Sequence, residues 1–162
     1  MPDAAGLLGW LEATQLAAAM RNSVWMYPIV EIVHIVGFAV LVGAVAMFDL
    51  RVLGFARSLP VKALGRHLLP WAVGSLALIV PAGLLMFSTN PHEFAANKVF
   101  QLKLALIVAA GLNAALFHAG SYRAVVSWNE GVPAPLPAKA HAIASLLIWI
   151  AVISCGRLLA YT

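Results

Sequence analysis

Long apolar runs alternate with short joints rich in Pro, Gly and Asn. Four runs are long enough to cross about 30 Å of hydrocarbon: residues 25–50, 67–87, 100–118 and 139–161. The joints SLPVKALGR, STNPHEFAANK and NEGVPAPLPAK carry the residues that end helices and make loops. Pro70 falls in the first turn of the second run and Pro81 is placed to kink it. The PAPLP piece reads as an extended linker between the third and fourth runs. Residues 4–22 read as an amphipathic helix lying in the interface, with Leu7, Leu8, Trp10 and Leu11 toward the apolar side and Glu12 and Gln15 toward water. Asp3 and Glu12 stand where a cleaved signal would carry positive charge. The pattern therefore predicts an all-α membrane protein: a four-transmembrane-helix bundle with an N-terminal interfacial amphipathic helix, forming one domain over residues 1–162.

Composition agrees. The chain is 63% hydrophobic and 10% charged, with a mean hydropathy of +0.94. A soluble domain is about a quarter charged, so a lipid bilayer is the natural solvent. The net charge of +4 comes from Lys and Arg placed beside the apolar runs, with no basic stripe interleaved with aromatics, which excludes nucleic acid as a partner. Arg51, Arg57, Lys62, Arg66, Arg123 and Lys139 gather at one end of the spans, and the positive-inside rule puts that end in the cytoplasm with both termini outside. Cys155 is the single cysteine, which excludes an internal disulfide, a thiolate cluster and a covalent CxxCH haem attachment. HExxH, EF-hand and Walker motifs are absent. Gly37, Ala39, Gly43 and Ala44 let another helix approach the first span closely. Tight packing suffices to explain them, and the Ala39 to Gly43 spacing is also compatible with a homo-oligomer.

Candidate chemistry lies in the polar residues at two depths. Glu31 and His34 are three apart on one helix face; a charge inside the bilayer costs at least ~2.5 kcal/mol, so that face is expected to turn inward. Lys103 and Arg157 fall at the same outer level. His67, His118 and His141 form a second, inner layer near Asp49 and Arg66. His34 and His118 are about 20 Å apart along the membrane normal at 1.5 Å per residue, so they cannot share one iron. A purely structural reading makes the outer layer an ion-pair network and the inner histidines headgroup-level residues. A functional reading makes His34 the axial ligand of a non-covalent haem, with Lys103 or Arg157 meeting a carboxylate and Glu31 tuning the site or relaying a proton. In that reading His67, His118 and His141 supply a second haem or a zinc or copper ion.

The stretches EIVHIVGFAVLVGAVAMFDLR, FQLKLALIVAA and GRHLLPWAVGSLALIVPAGLLMF resemble the first, third and second helices of the small bacterial membrane protoporphyrinogen oxidases, and the general helix pattern is similar to that of the copper-resistance D membrane proteins. The resemblance covers about residues 27–118 and points to a sister family of both. It implies haem b, one or two, with His34 on iron and Lys103 as a second functional residue, in a bacterial inner membrane. Glu31 departs from the pattern, which tends to carry Lys just before the His. The expectation is a haem b redox protein, passing electrons to a membrane redox partner or oxidising a small apolar or porphyrin-like substrate. The competing readings are copper or other metal transport and a non-catalytic partner subunit.

Overall fold

The computed structural model describes residues 6–161. Seven α-helices and one 3₁₀ segment follow in order, and no strand occurs among the described residues. α1 (Gly6–Glu12) and α2 (Gln15–Asn22) precede the long α3 (Met26–Leu53) and α4 (Val61–Phe87). Short α5 (Pro91–Ala96) leads into α6 (Lys98–Ala119), the 3₁₀ segment Ser121–Trp128 and α7 (Leu136–Leu158). α3, α4, α6 and α7 are long and apolar enough to cross a membrane.

The four long helices match the four apolar runs, but their ends differ for local reasons. The expected interfacial helix over 4–22 is two helices; its residues 4 and 5, with Asp3, lie outside the described residues. Thr14 makes the break. Its hydroxyl donates to the Leu11 carbonyl at 2.8 Å and accepts from the Ala17 amide at 3.2 Å, which caps α2 as it stops α1. α4 starts at Val61 rather than 67, so Pro70 lies well inside the helix instead of in its first turn. Hydropathy detects only the part of a helix that lipid would cover. The stretch VKALGR, broken by Lys62, Gly65 and Arg66, is helical too and is not picked out by that measure. α6 begins where the Asn97 side chain accepts the Val99 and Phe100 amides at 2.8 and 3.3 Å. α7 begins inside the supposed linker, with Pro137 in its first turn, where a missing N–H is harmless.

α3 packs on α4 and on α7, and α7 packs on α6; α4 and α6 are not packed backbone to backbone along their lengths. They are joined at their ends. At the end that carries both termini, Phe87 of α4 stacks on Phe100 of α6 with centroids 5.5 Å apart, and Phe94 of α5 joins both rings. At the opposite end the largest buried cluster, including Phe48, Val52, Phe117 and Trp128, is completed by the 3₁₀ segment. A smaller cluster of Leu41, Ala44 and Ala72 fills the middle of the α3–α4 contact. The α3–α4 contact is tight because of Gly37: a Cβ there would lie 2.9 Å from Ile79 Cγ1 and 3.1 Å from Leu78 Cβ. Gly43 faces open space, so only the first of the two α3 glycines serves this packing.

The end of α3 is built around Arg51. Gly54 adopts φ +114°, which a side chain would resist, and closes the helix with bonds from its own amide to Arg51 and from Phe55 to Leu50, both 3.1 Å. The Arg51 side chain is 2% exposed. It donates to three carbonyls, those of Leu59 at 2.6 Å, Arg57 at 3.0 Å and Asn129 at 3.1 Å. Asn129 in turn accepts the first two amides of α4, Val61 on its carbonyl and Lys62 on its side chain, both at 2.9 Å. One guanidinium and one asparagine thus fasten the α3–α4 turn to the segment before α7. Arg51→Ala leaves buried carbonyls unpaired and is expected to lower the unfolding free energy in mixed micelles by about 2–4 kcal/mol. Arg57→Ala, at an exposed position, should leave it nearly unchanged.

Candidate functional site

Close packing at Gly37 brings α3 within reach of the α4 backbone one turn toward the termini. There the half-buried His34 places Nδ1 3.0 Å from the Ile79 carbonyl oxygen. A carbonyl only accepts, so Nδ1 carries the hydrogen and donates. In the neutral ring Nε2 is then the bare nitrogen. The ring fits because residue 83 is glycine: a Cβ there would lie 3.2 Å from His34 Cε1. Phe38 lies next along the helix, 6.4 Å from the imidazole at an interplanar angle of 23°. Trp149 of α7 meets Phe38 edge-on at 5.7 Å, so the ring series runs from α3 to α7.

The half-buried Lys103 of α6 is the cation that shares this region. It lies within electrostatic range of His34, and its Nζ is 3.8 Å from where a Cβ of Gly156 would stand. Glu31 also acts on His34 electrostatically and sits between it and Tyr27. Of the Glu31–His34 pair, however, only His34 turns inward; Glu31 is exposed. No hydrogen bond or ion pair joins Glu31 to Lys103 or Arg157 among the described residues. Arg157 is exposed and folds back over its own helix end, donating to the Tyr161 hydroxyl with its guanidinium carbon 4.8 Å from that ring's centroid. At the termini end, His34 and Lys103 therefore share one region, with Glu31 exposed and Arg157 turned away. A polar cleft of about 370 Å³, lined by Arg21, Tyr27, Asn90 and Phe94 among others, opens at the termini end one turn from Glu31. Arg21 braces it through bonds to the Thr89 and Glu12 carbonyls at 3.0 and 2.9 Å.

The inner histidines are placed differently from one another. His141 and Asn113 clamp α6 to α7: the imidazole Nδ1 lies 2.8 Å from Asn113 Oδ1, and Asn113 Nδ2 donates to the His141 carbonyl at 3.0 Å. His118 bonds back to the Ala114 carbonyl of its own helix at 2.8 Å and packs on Tyr122 at 5.0 Å. Both rings touch Phe117. His67 is exposed. Among the described residues, no three His, Cys, Asp or Glu side chains gather so as to hold a metal ion. His118 and His141 are thus ring neighbours of one phenylalanine, and the trio is not a three-ligand cluster.

Two residues carry more of this structure than their sequence signal suggested. Arg51 and Asp49 sit near a span end, where charges read as topology markers, yet both are buried. The signal that distinguishes them was present: DLR interrupts an apolar run before the Gly that ends it.

A protein-family profile matches residues 7–162. The chain belongs to a family of unknown function, DUF6644. That match spans both short N-terminal helices, all four long helices and every residue of the His34 region. No curated protein and no solved structure matches the chain.

Within this member of the family, the space over Gly83 is what lets His34 reach α4. Gly83→Val is expected to push the ring off Ile79 and to cost about 1–3 kcal/mol through overpacking. Gly43→Val, where nothing lies within 4 Å, should cost almost nothing. Unfolding free energies of the two variants in the same micelles make the comparison.

Proposed function

We propose that the chain is an integral protein of a bacterial cytoplasmic membrane that binds haem b through His34 and works in redox chemistry. The observation that carries this reading is the anchored imidazole: His34 Nδ1 donates to the Ile79 carbonyl at 3.0 Å, which leaves Nε2 for a metal. Histidines that ligate metals usually hold their other ring nitrogen in such a bond, which fixes the ring and raises the basicity of the ligating nitrogen. The residues around it suit a flat macrocycle with acidic side chains. Phe38 and Trp149 supply aromatic walls. Lys103 supplies a cation for a carboxylate, with Gly156 giving its ammonium room. Haem, when bound, supplies reversible one-electron exchange.

The protein's own groups have distinct tasks in this reading. His34 orients and holds the cofactor. Lys103 pairs with an anionic carboxylate of cofactor or substrate. Glu31, exposed one turn from the Tyr27 that lines the polar cleft, exchanges protons with water at the termini end. The distribution of Lys and Arg supports a cytoplasmic Arg51 end with both termini outside; in that orientation electrons would meet a membrane redox partner near the outer face. Arg157, committed to Tyr161, serves the helix end and not the cofactor.

Purification after haem-replete expression should give a coloured protein with a Soret band, and a pyridine haemochrome spectrum of haem b. His34→Ala should abolish the band while insertion and yield stay normal. Lys103→Met should keep the band and weaken haem retention several-fold. A colourless wild-type protein under these conditions refutes the reading.

A further inference from the structure

A second buried polar group, far from His34, belongs to none of these tasks. Asp49 of α3 is 7% exposed, and its Oδ2 has no hydrogen-bond partner. Its immediate neighbours on α3, Phe48 and Val52, belong to the apolar cluster. The polar side chain nearest in kind is Ser145 of α7, also buried, on the helix that packs against α3.

Among the described residues, no cation pairs with it. On α3, Arg51 is held by three carbonyls, and no charge interaction joins it to Asp49. On the elements packed around this end, the titratable groups are the exposed Lys62, Arg66 and His67 of α4, His118 of α6, Tyr122 and Arg123 of the 3₁₀ segment, and Lys139 and His141 of α7. None of them acts on the Asp49 carboxyl. Arg66, His67, His118 and Arg123 are exposed, and His141 is tied to Asn113. A bare carboxylate in such surroundings costs several kcal/mol. A carboxyl that carries its proton removes that charge and can still exchange a hydrogen bond with a hydroxyl.

We infer that Asp49 is a buried proton-binding site, with the Ser145 hydroxyl as its partner across the α3–α7 contact. The ligand is a proton: an O–H bond forms on the carboxyl as a water at the Arg51 end gives up a proton, and breaks when the proton returns, with no change in electron count. Asp49 lies four residues from the end of α3, which makes that end the short way to water. The next polar side chain on the same face of α7 is His141, one turn nearer the same end. His34 is about 22 Å away along α3 at 1.5 Å per residue, so proton binding here is separate from the imidazole site and does not require a cofactor.

Infrared spectroscopy of the full-length protein in lipid tests the inference. The chain has two aspartates, Asp3 and Asp49, so carboxyl-labelled ¹³C-aspartate marks the site without any substitution. At neutral pH the labelled sample should show the carbonyl stretch of a protonated carboxyl, shifted by the isotope and by D₂O. Asp49→Asn should remove that band, with Asp3 remaining as the baseline, and Ser145→Ala should move it. Label appearing only in the carboxylate stretches at neutral pH overturns the inference, since the group would then be ionised. A band indifferent to Ser145→Ala overturns the assigned partner.

Discussion

The hydrogen bond from His34 to the Ile79 carbonyl holds the candidate site together, and it exists only because two glycines make room for it. Gly37 lets α3 approach α4 until a Cβ would collide with Ile79. Gly83, one turn beyond Ile79, leaves the space that the imidazole fills. The bond then decides which ring nitrogen is free and where it faces. Backbone packing thus reaches the chemistry through one acceptor, and the aromatic series from Phe38 to Trp149 continues from that ring into α7.

The same solution recurs elsewhere in the chain. In an apolar medium a polar side chain needs a partner, and opposite charges are one way to provide it. This protein uses backbone carbonyls instead. Arg51 donates to three of them, His118 to Ala114 and Asn113 to His141. A carbonyl partner fixes direction without adding a charge: Asn113 ties α6 to α7 in this way, while His118 bonds within α6. Arg51 and Asn129 make such a tie at one end, and the Phe87, Phe94 and Phe100 cluster makes one at the other by stacking. Asp49 stands apart, because its buried Oδ2 has no hydrogen-bond partner.

The four long helices were legible because hydropathy over some twenty residues is a strong signal and lipid leaves few alternatives. Their ends were less so. Val61–Arg66 is helical but broken by Lys62, Gly65 and Arg66, Leu136 and Pro137 open α7 inside a segment that resembles a linker, and Thr14 divides the N-terminal helix by a cap that competes with its continuation. The depth of His34 was legible from its place in the run; that Glu31 would stay exposed was not, because i and i+3 differ by about 60° around a helix of 3.6 residues per turn. The ion-pair network read into Glu31, Lys103 and Arg157 depended on side-chain direction, which Tyr161 changes by holding Arg157 at the helix end. The partners of His34 and Arg51 are backbone atoms, and a pattern of side chains cannot name those.

The state of the His34 ring is the most direct test of the central claim. Solid-state ¹⁵N spectra of histidine-labelled protein in lipid, with His34 assigned by difference against His34→Gln, report which ring nitrogen carries hydrogen. A hydrogen on Nδ1, coupled to the Ile79 carbonyl carbon, with Nε2 bare or bound to metal, is the predicted result. A ring with its hydrogen on Nε2 and no coupling to Ile79 would contradict the account.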